Sequence, residues 1–458
     1  MRRTLKYYRI MWWRHDLSAG LSVFLVALPL CLGIALASGA PLYAGLLSGI
    51  IGGIVTASIS GASLAVSGPA AGLATLTAAA ILSLGDYRVF LLTIIVAGLF
   101  QVVLGLLRWG VVASYFPSAV IKGMLAAIGI MLISKQIPIA FGYDKPGFWT
   151  NGFSELFSSR DVPMNISAFS QHISKGAILI TIVSLAILIL MQQPFAKKWR
   201  VIPAPLLVVL AGIGLSYLFS STHSPLSLKD SQLVNIPSNI FASISFPDLS
   251  QLLHNPDVWK KGLVIGLLAT LETLLCIEAV DKLDRHNRIT PVNRELVAQG
   301  VGNITCGFLG ALPITAVVVR GAANVDAGGR TKLSAITHGV LLLLAVLLIP
   351  FVLNMIPYAS LAAILLVTGY NLSKPKLYKN MYSLGWKQLL PFLLTIGFIL
   401  ATDLLIGVSI GLLLSLYFIV QNNFRAEYKI TRSHFQGIDT WLIRLNSNVT
   451  FLNKVKLK

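Results

Sequence analysis

Charge is scarce in this sequence: 12% of its 458 residues are Asp, Glu, Lys or Arg, about half the share of a soluble globular chain. Acidic residues are the scarcer sign, 17 against 36 basic ones. Cysteine is nearly absent. Cys31, Cys276 and Cys306 all fall in apolar runs without metal-ligand spacing, so neither a disulfide framework nor a metal site is expected. No P-loop occurs, which leaves an ATP-driven pump unsupported. The seven histidines are scattered, mostly through polar connections, and no nucleophile–base cluster points to an enzyme. No cleavable signal precedes the first apolar run.

What fills the chain instead is apolar: 55% of residues are hydrophobic and the mean hydropathy is +0.78. Repeated long apolar runs identify an all-α polytopic membrane protein. Spans are predicted at 17–38, 42–60, 69–84, 88–107, 117–138, 173–192 and 202–219. After a polar stretch at 220–258, a second set follows at 259–283, 293–311, 315–326, 333–348, 350–370, 386–402 and 404–422. Fourteen spans divide into seven plus seven, about 17–219 and 259–422, and an odd number per half inverts one half relative to the other.

The net charge of +19 sits in short basic clusters between apolar runs, the pattern of cytoplasmic loops and not of a nucleic-acid-binding face. Clusters at the N-terminus, Lys197–Arg200, Lys282–Arg294, Lys374–Lys387 and Arg425–Arg432 all fall on one side, so both termini are expected in the cytoplasm. Residues 1–16, with Arg2, Arg3, Lys6, Arg9, Arg14, Trp12 and Trp13, read as a segment lying on the cytoplasmic membrane surface. The tail, 423–458, is polar. Ile438–Leu445 alternates like a strand, the opening of a soluble α/β element too short to fold alone.

Two stretches are wrong for ordinary spans. Ala311–Arg330 contains a proline, a run too short to cross, the buried-type arginine Arg320 and a glycine break; Val66–Thr77 begins with Ser67-Gly68-Pro69 before a short small-residue helix. Paired interrupted segments in the two halves are the best sequence pointer to a transporter site. A helix that starts in mid-membrane offers unpaired N–H groups and a partial positive charge, and two facing each other would bind an anion. Ser67 and Thr315 are expected as caps, with Pro69 at the first helical position and Arg320 one to two turns into the second helix. Glu272 is the second intramembrane charge, among the small residues Ala269, Cys276 and Ala279; it can bind H+ or Na+, or counterbalance Arg320. Glu278, Asp281 and Asp403 read as interfacial. The glycine tracts Gly45–Gly53 and Gly300–Gly310 read as close helix packing.

The chain resembles the sulfate permease (SulP) family of anion transporters. The resemblance rests on Pro41–Leu46, Val66–Ala71, Leu271–Leu275, Asn293–Leu296, Gln299-Gly300, Gly302-Asn303, Pro313–Arg320, Asn324-Val325 and Gly328–Thr331. It implies two inverted repeats forming core and gate domains, a homodimer, and a bacterial inner-membrane protein whose tail opens a truncated STAS domain. It also implies an anion site of Ser67, Gly68, Ala70 and Ala71 facing Thr315 and Ala316, with Arg320 nearby, Phe24 and Pro29 lining it from the first span, and Glu272 as the coupling acid. Coupling to Na+ or H+, or anion exchange, would drive transport. Many members carry Gln after the first-span proline, whereas Pro29 is followed here by Leu30 and Cys31. Leu28–Ala35 is similar to a bacterial subgroup associated with carbonic anhydrase, which makes that enzyme a candidate partner and favours bicarbonate over sulfate. The alternatives are a uracil-type permease and a non-transporting anion sensor.

Overall fold

The computed structural model describes residues 2–110, 117–143, 172–193, 203–222, 224–237, 243–402, 404–424, 428–435 and 438–445. Lys197–Arg200, Asp403 and the STAS-like run Val449–Lys454 lie outside these residues. Fourteen helices among the described residues answer to the fourteen expected spans. The first seven are α1 (Arg2–Ala37), α2 (Leu42–Ile51, running on through a π-helical turn at Gly52–Thr56 to Ile59), α3 (Ala71–Leu84), α4 (Tyr87–Leu106), α5 (Ser118–Ala140), α6 (Lys175–Gln192) and α7 (Ala204–Ser221). The second seven are α8 (Pro256–Leu283), α9 (Val292–Phe308), α10 (Val318–Asp326), α11 (Leu333–Leu348), α12 (Tyr358–Leu372), α13 (Trp386–Ala401) and α14 (Leu404–Phe424).

Helices dominate because a backbone in lipid must satisfy its own hydrogen bonds. α1 is continuous from Arg2, without a break at residue 16. α3, with 14 residues, and α10, with 9, fall short of the roughly 20 needed to cross a bilayer. Each is preceded by a three-residue strand, β1 (Ser67–Pro69) and β2 (Ile314–Ala316). The two strands pair antiparallel, Ser67 opposite Ala316 and Pro69 opposite Ile314. The element order of the first half thus recurs in the second, and the corresponding strands run in opposite directions, as inverted repeats require.

Packing sorts the chain into two compact units, Met1–Ser114 with Ile128–Leu372, and Tyr115–Ala127 with Ser373–Lys458. In the first, α4 and α9 touch backbone to backbone: a side-chain carbon on Gly98 would lie 2.6 Å from the Gly300 carbonyl oxygen, and one on Gly300 the same distance from that of Gly98. α2 uses its glycines similarly. Gly52 abuts the Ser67 carbonyl and Gly53 abuts Gly339 of α11, so both glycine tracts serve close packing. In the second unit, Gly123 of α5 meets the Phe392 carbonyl of α13, and Tyr378 packs edge-on against Phe392. The tail forms an antiparallel hairpin of β3 (Tyr428–Phe435) and β4 (Ile438–Leu445); β4 was legible as alternation, β3 was not.

Candidate anion site

β1 and β2 bring the starts of α3 and α10 together. Neither helix has a side-chain cap: the N-cap residues are Ala70 and Val317. The first-turn N–H groups, including those of Ala71 and Gly72, therefore have neither a carbonyl one turn back nor a cap. Ser67 and Thr315 do not cap, because both lie in the strands. Ser67 Oγ instead accepts from Gln299 Nε2 at 2.6 Å, and Thr315 Oγ1 donates to the Ala316 carbonyl. Pro69 ends β1 and does not open the helix.

Arg320 sits within the first turn of α10, closer to the helix start than its sequence position led one to expect. It is fully buried, 0% exposed. Its Nη2 donates to Cys31 Sγ at 3.3 Å and to the Pro69 carbonyl at 3.4 Å, both long contacts, while Nε and Nη1 have no protein partner. Its guanidinium lies where a side chain on Gly68 would be. A cation so desolvated costs several kcal/mol unless it is compensated.

Glu272 does not compensate it. Among the described residues no ion pair joins the two. Glu272 lies instead against the first turn of α3, its Oε1 2.6 Å from where a side-chain carbon of Gly72 would begin. The two charges pack on different glycines of the β1–α3 segment, Arg320 on Gly68 and Glu272 on Gly72. The next residue of α8, Thr273, accepts the Ala316 N–H at 3.3 Å, so Ala316 has no backbone donor left for a ligand. From α1, Cys31 is the residue that meets Arg320; Phe24 is half-buried two turns earlier and Pro29 is buried within the helix.

Two short helices starting at an antiparallel strand pair, with a buried, unpaired arginine at one of those starts, make an arrangement that can hold an anion. The sequence profile of the "Sulfate permease family" matches residues 13–395. The chain belongs to the sulfate permease family. Among curated relatives, the "Putative sulfate transporter YvdB" of Bacillus subtilis (strain 168) is 29% identical over 435 residues, covering 94% of this chain and 77% of the relative. The "Bicarbonate transporter BicA" of Picosynechococcus sp. is 26% identical over 409 residues, 87% of this chain and 68% of that one. The fold matches the transmembrane domain of a cyanobacterial bicarbonate transporter BicA with TM-score 0.70 at 23% identity, covering 87% of this chain and 96% of that one. It also matches SLC26A9 with TM-score 0.76 at 17% identity, covering 96% and 73%.

Most of the residues that hold the crossing fall within the stretches that carry the family resemblance, but nothing in the sequence says what they grip. Glu295, Gln299 and Asn303 are spaced four apart on α9, a buried polar stripe on one helix face. Glu295 accepts from Ser60 Oγ and from Gln299 Nε2. Asn303 takes both backbone groups of Ile314, its Oδ1 accepting the N–H at 2.7 Å and its Nδ2 donating to the carbonyl at 3.0 Å. Asn303 thus acts as a third strand edge for β2. Ser48 of α2 receives the Leu312 N–H at 2.7 Å. The i, i+4, i+8 polar spacing was the available clue; what it grips is visible only once the strands exist.

Proposed function

We propose that this chain is a secondary transporter of a small inorganic anion, with bicarbonate preferred over sulfate, working by alternating access. The observation that carries this reading is Arg320: a buried guanidinium with two unpartnered nitrogens, set between two uncapped helix starts. One full charge suits a monovalent anion, whereas sulfate would leave a net negative charge in a low-dielectric interior. The printed functions of the relatives, sulfate and bicarbonate transport, support the same substrate class.

Glu272 supports coupling. An ionised carboxylate at the first turn of α3 competes with a substrate anion for the positive end of that helix. Anion entry is therefore linked to a cation, H+ or Na+, on Glu272. On the same reading the protein resides in a bacterial inner membrane with both termini cytoplasmic, forms a homodimer, and takes carbonic anhydrase as a partner. The β3–β4 hairpin is the opening of a STAS domain.

Uptake by proteoliposomes of bicarbonate, sulfate and fumarate, each with and without Na+ and pH gradients, tests this. Bicarbonate uptake driven by one of the two gradients is expected. Arg320→Gln should lower it roughly 10- to 100-fold, the loss of a charged hydrogen bond. Undiminished uptake by that variant, or strong competition by uracil, would overturn the reading.

A further inference from the structure

One turn before Leu342 of α11 lies a buried histidine that the anion site does not use. His338 of α11 is 0% exposed, and neither ring nitrogen has a hydrogen-bond partner. A neutral imidazole has one donor and one acceptor to satisfy, so a fold that buries both unpaired bears a cost that needs a reason. The sequence placed His338 in an apolar span with no companion.

Its surroundings supply one. Gly339, the next residue, packs on Gly53 in the π-helical turn of α2, while the preceding glycine, Gly52, abuts the Ser67 carbonyl. One turn beyond His338, Leu342 meets Gly49, against which Cys31 Sγ also packs; Cys31 in turn contacts Arg320. His338 and Arg320 are near enough to interact electrostatically. The titratable groups reached by this chain of contacts are Cys31 of α1 and, through it, Arg320 of α10; α2 brings none at this level, its sole titratable side chain being Tyr43 in its first turn. π-helical turns recur at functional sites, and this one stands between the histidine and β1.

We infer that His338 is a proton-binding site coupled to anion occupancy through Arg320. This rests on the anion-site reading above and deepens it by naming H+ as a coupling ion and a second group, beside Glu272, that carries it. With Arg320 uncompensated, an imidazolium on α11 would be a second positive charge in the same low-dielectric interior. An anion bound at Arg320 cancels the first charge, and a proton from bulk water then enters the His338 ring at one nitrogen. Linkage is reciprocal: acid must tighten anion binding by the same factor as the anion favours the proton.

The test uses the full chain in nanodiscs with nitrate, a planar monovalent anion that does not titrate near neutrality, and sulfate as a second probe. Wild type should bind nitrate severalfold more tightly for each unit of acidification once the pH falls below about 6.5, the ordinary imidazole value, because burial without partners opposes the charged ring, and should take up protons as nitrate is added. His338→Gln should bind nitrate with affinity independent of pH across that range. Retained pH dependence in His338→Gln, with its loss in Glu272→Gln, overturns the assignment. Nitrogen NMR of labelled histidine in the unsubstituted protein answers without a variant: nitrate should convert one imidazole to imidazolium, and no conversion also overturns it. Failure of both nitrate and sulfate to bind at any pH sinks the anion site itself, a distinct result.

Discussion

The Arg320 guanidinium occupies the space into which a side chain at Gly68 would grow. That contact joins the two halves of the chain at the level where both short helices begin, and it explains why β1 carries glycine at its centre. Arg320 can lie flat on the β1 backbone only because nothing projects from it.

Gly68→Ala should therefore push the guanidinium tip aside without unfolding the protein, since the colliding atom ends a flexible side chain. Nitrate affinity measured by calorimetry should fall about tenfold, equivalent to about 1.4 kcal/mol, while the thermal midpoint in detergent stays within a few degrees. An unchanged affinity would mean that Arg320 does not set the site.

Glu272→Gln removes a carboxylate from the first turn of α3. Uphill uptake driven by a cation gradient should be lost, while downhill exchange persists and anion binding tightens by up to about fivefold, the value of relieving a like charge at a helix start. Parallel uptake and binding assays check this, and normal concentrative uptake would remove Glu272 from the coupling.

Asn303→Ala strips the partners from both backbone groups of Ile314. A loss of roughly 2–4 kcal/mol in stability is expected from two unsatisfied buried groups, read as a lowered thermal midpoint. Anion affinity should fall with it, because β2 no longer holds α10 in register. Ile180→Val, a trimming of a separate buried cluster on α6, should cost stability but leave affinity near wild type.

A pH effect is expected on the loop after α8. Burial alone would raise the Asp284 carboxyl, but the Arg288 guanidinium and the N–H groups of His286 and Arg288 outweigh it and hold the group below its ordinary value of 3.8. A depressed carboxyl contributes stability that is present above the unfolded value and lost as the pH falls through the folded one. Amide hydrogen exchange across 284–290 should thus be slow at pH 5 to 7 and accelerate below about pH 4. Asp284→Asn should bring that acceleration to neutral pH. Arg288 also donates to the Arg330 carbonyl, and Asp16 accepts the N–H groups of Arg330 and Thr331, so loosening should extend to the start of α11.

Much of this was legible along the chain. Apolar run lengths determined the fourteen helices, because hydrocarbon admits little else. The breaks at Ser67-Gly68-Pro69 and before Arg320 located the crossing, because a nine-residue helix and a buried arginine are both costly in a bilayer unless they serve a cavity. The contacts within the crossing were decided only in three dimensions. Three-residue strands are too short for any periodicity, so β1 and β2 were invisible, and with them the reassignment of Ser67 to Gln299 and of the Ala316 N–H to Thr273. Local chemistry proposed Ser67 and Thr315 as caps; pairing between residues some 250 positions apart took those groups for the strands. The same folding left Arg320 without Glu272 and buried His338 without a partner. Which charges compensate one another in a low-dielectric interior depends on distance across the fold, a quantity that residue order does not encode.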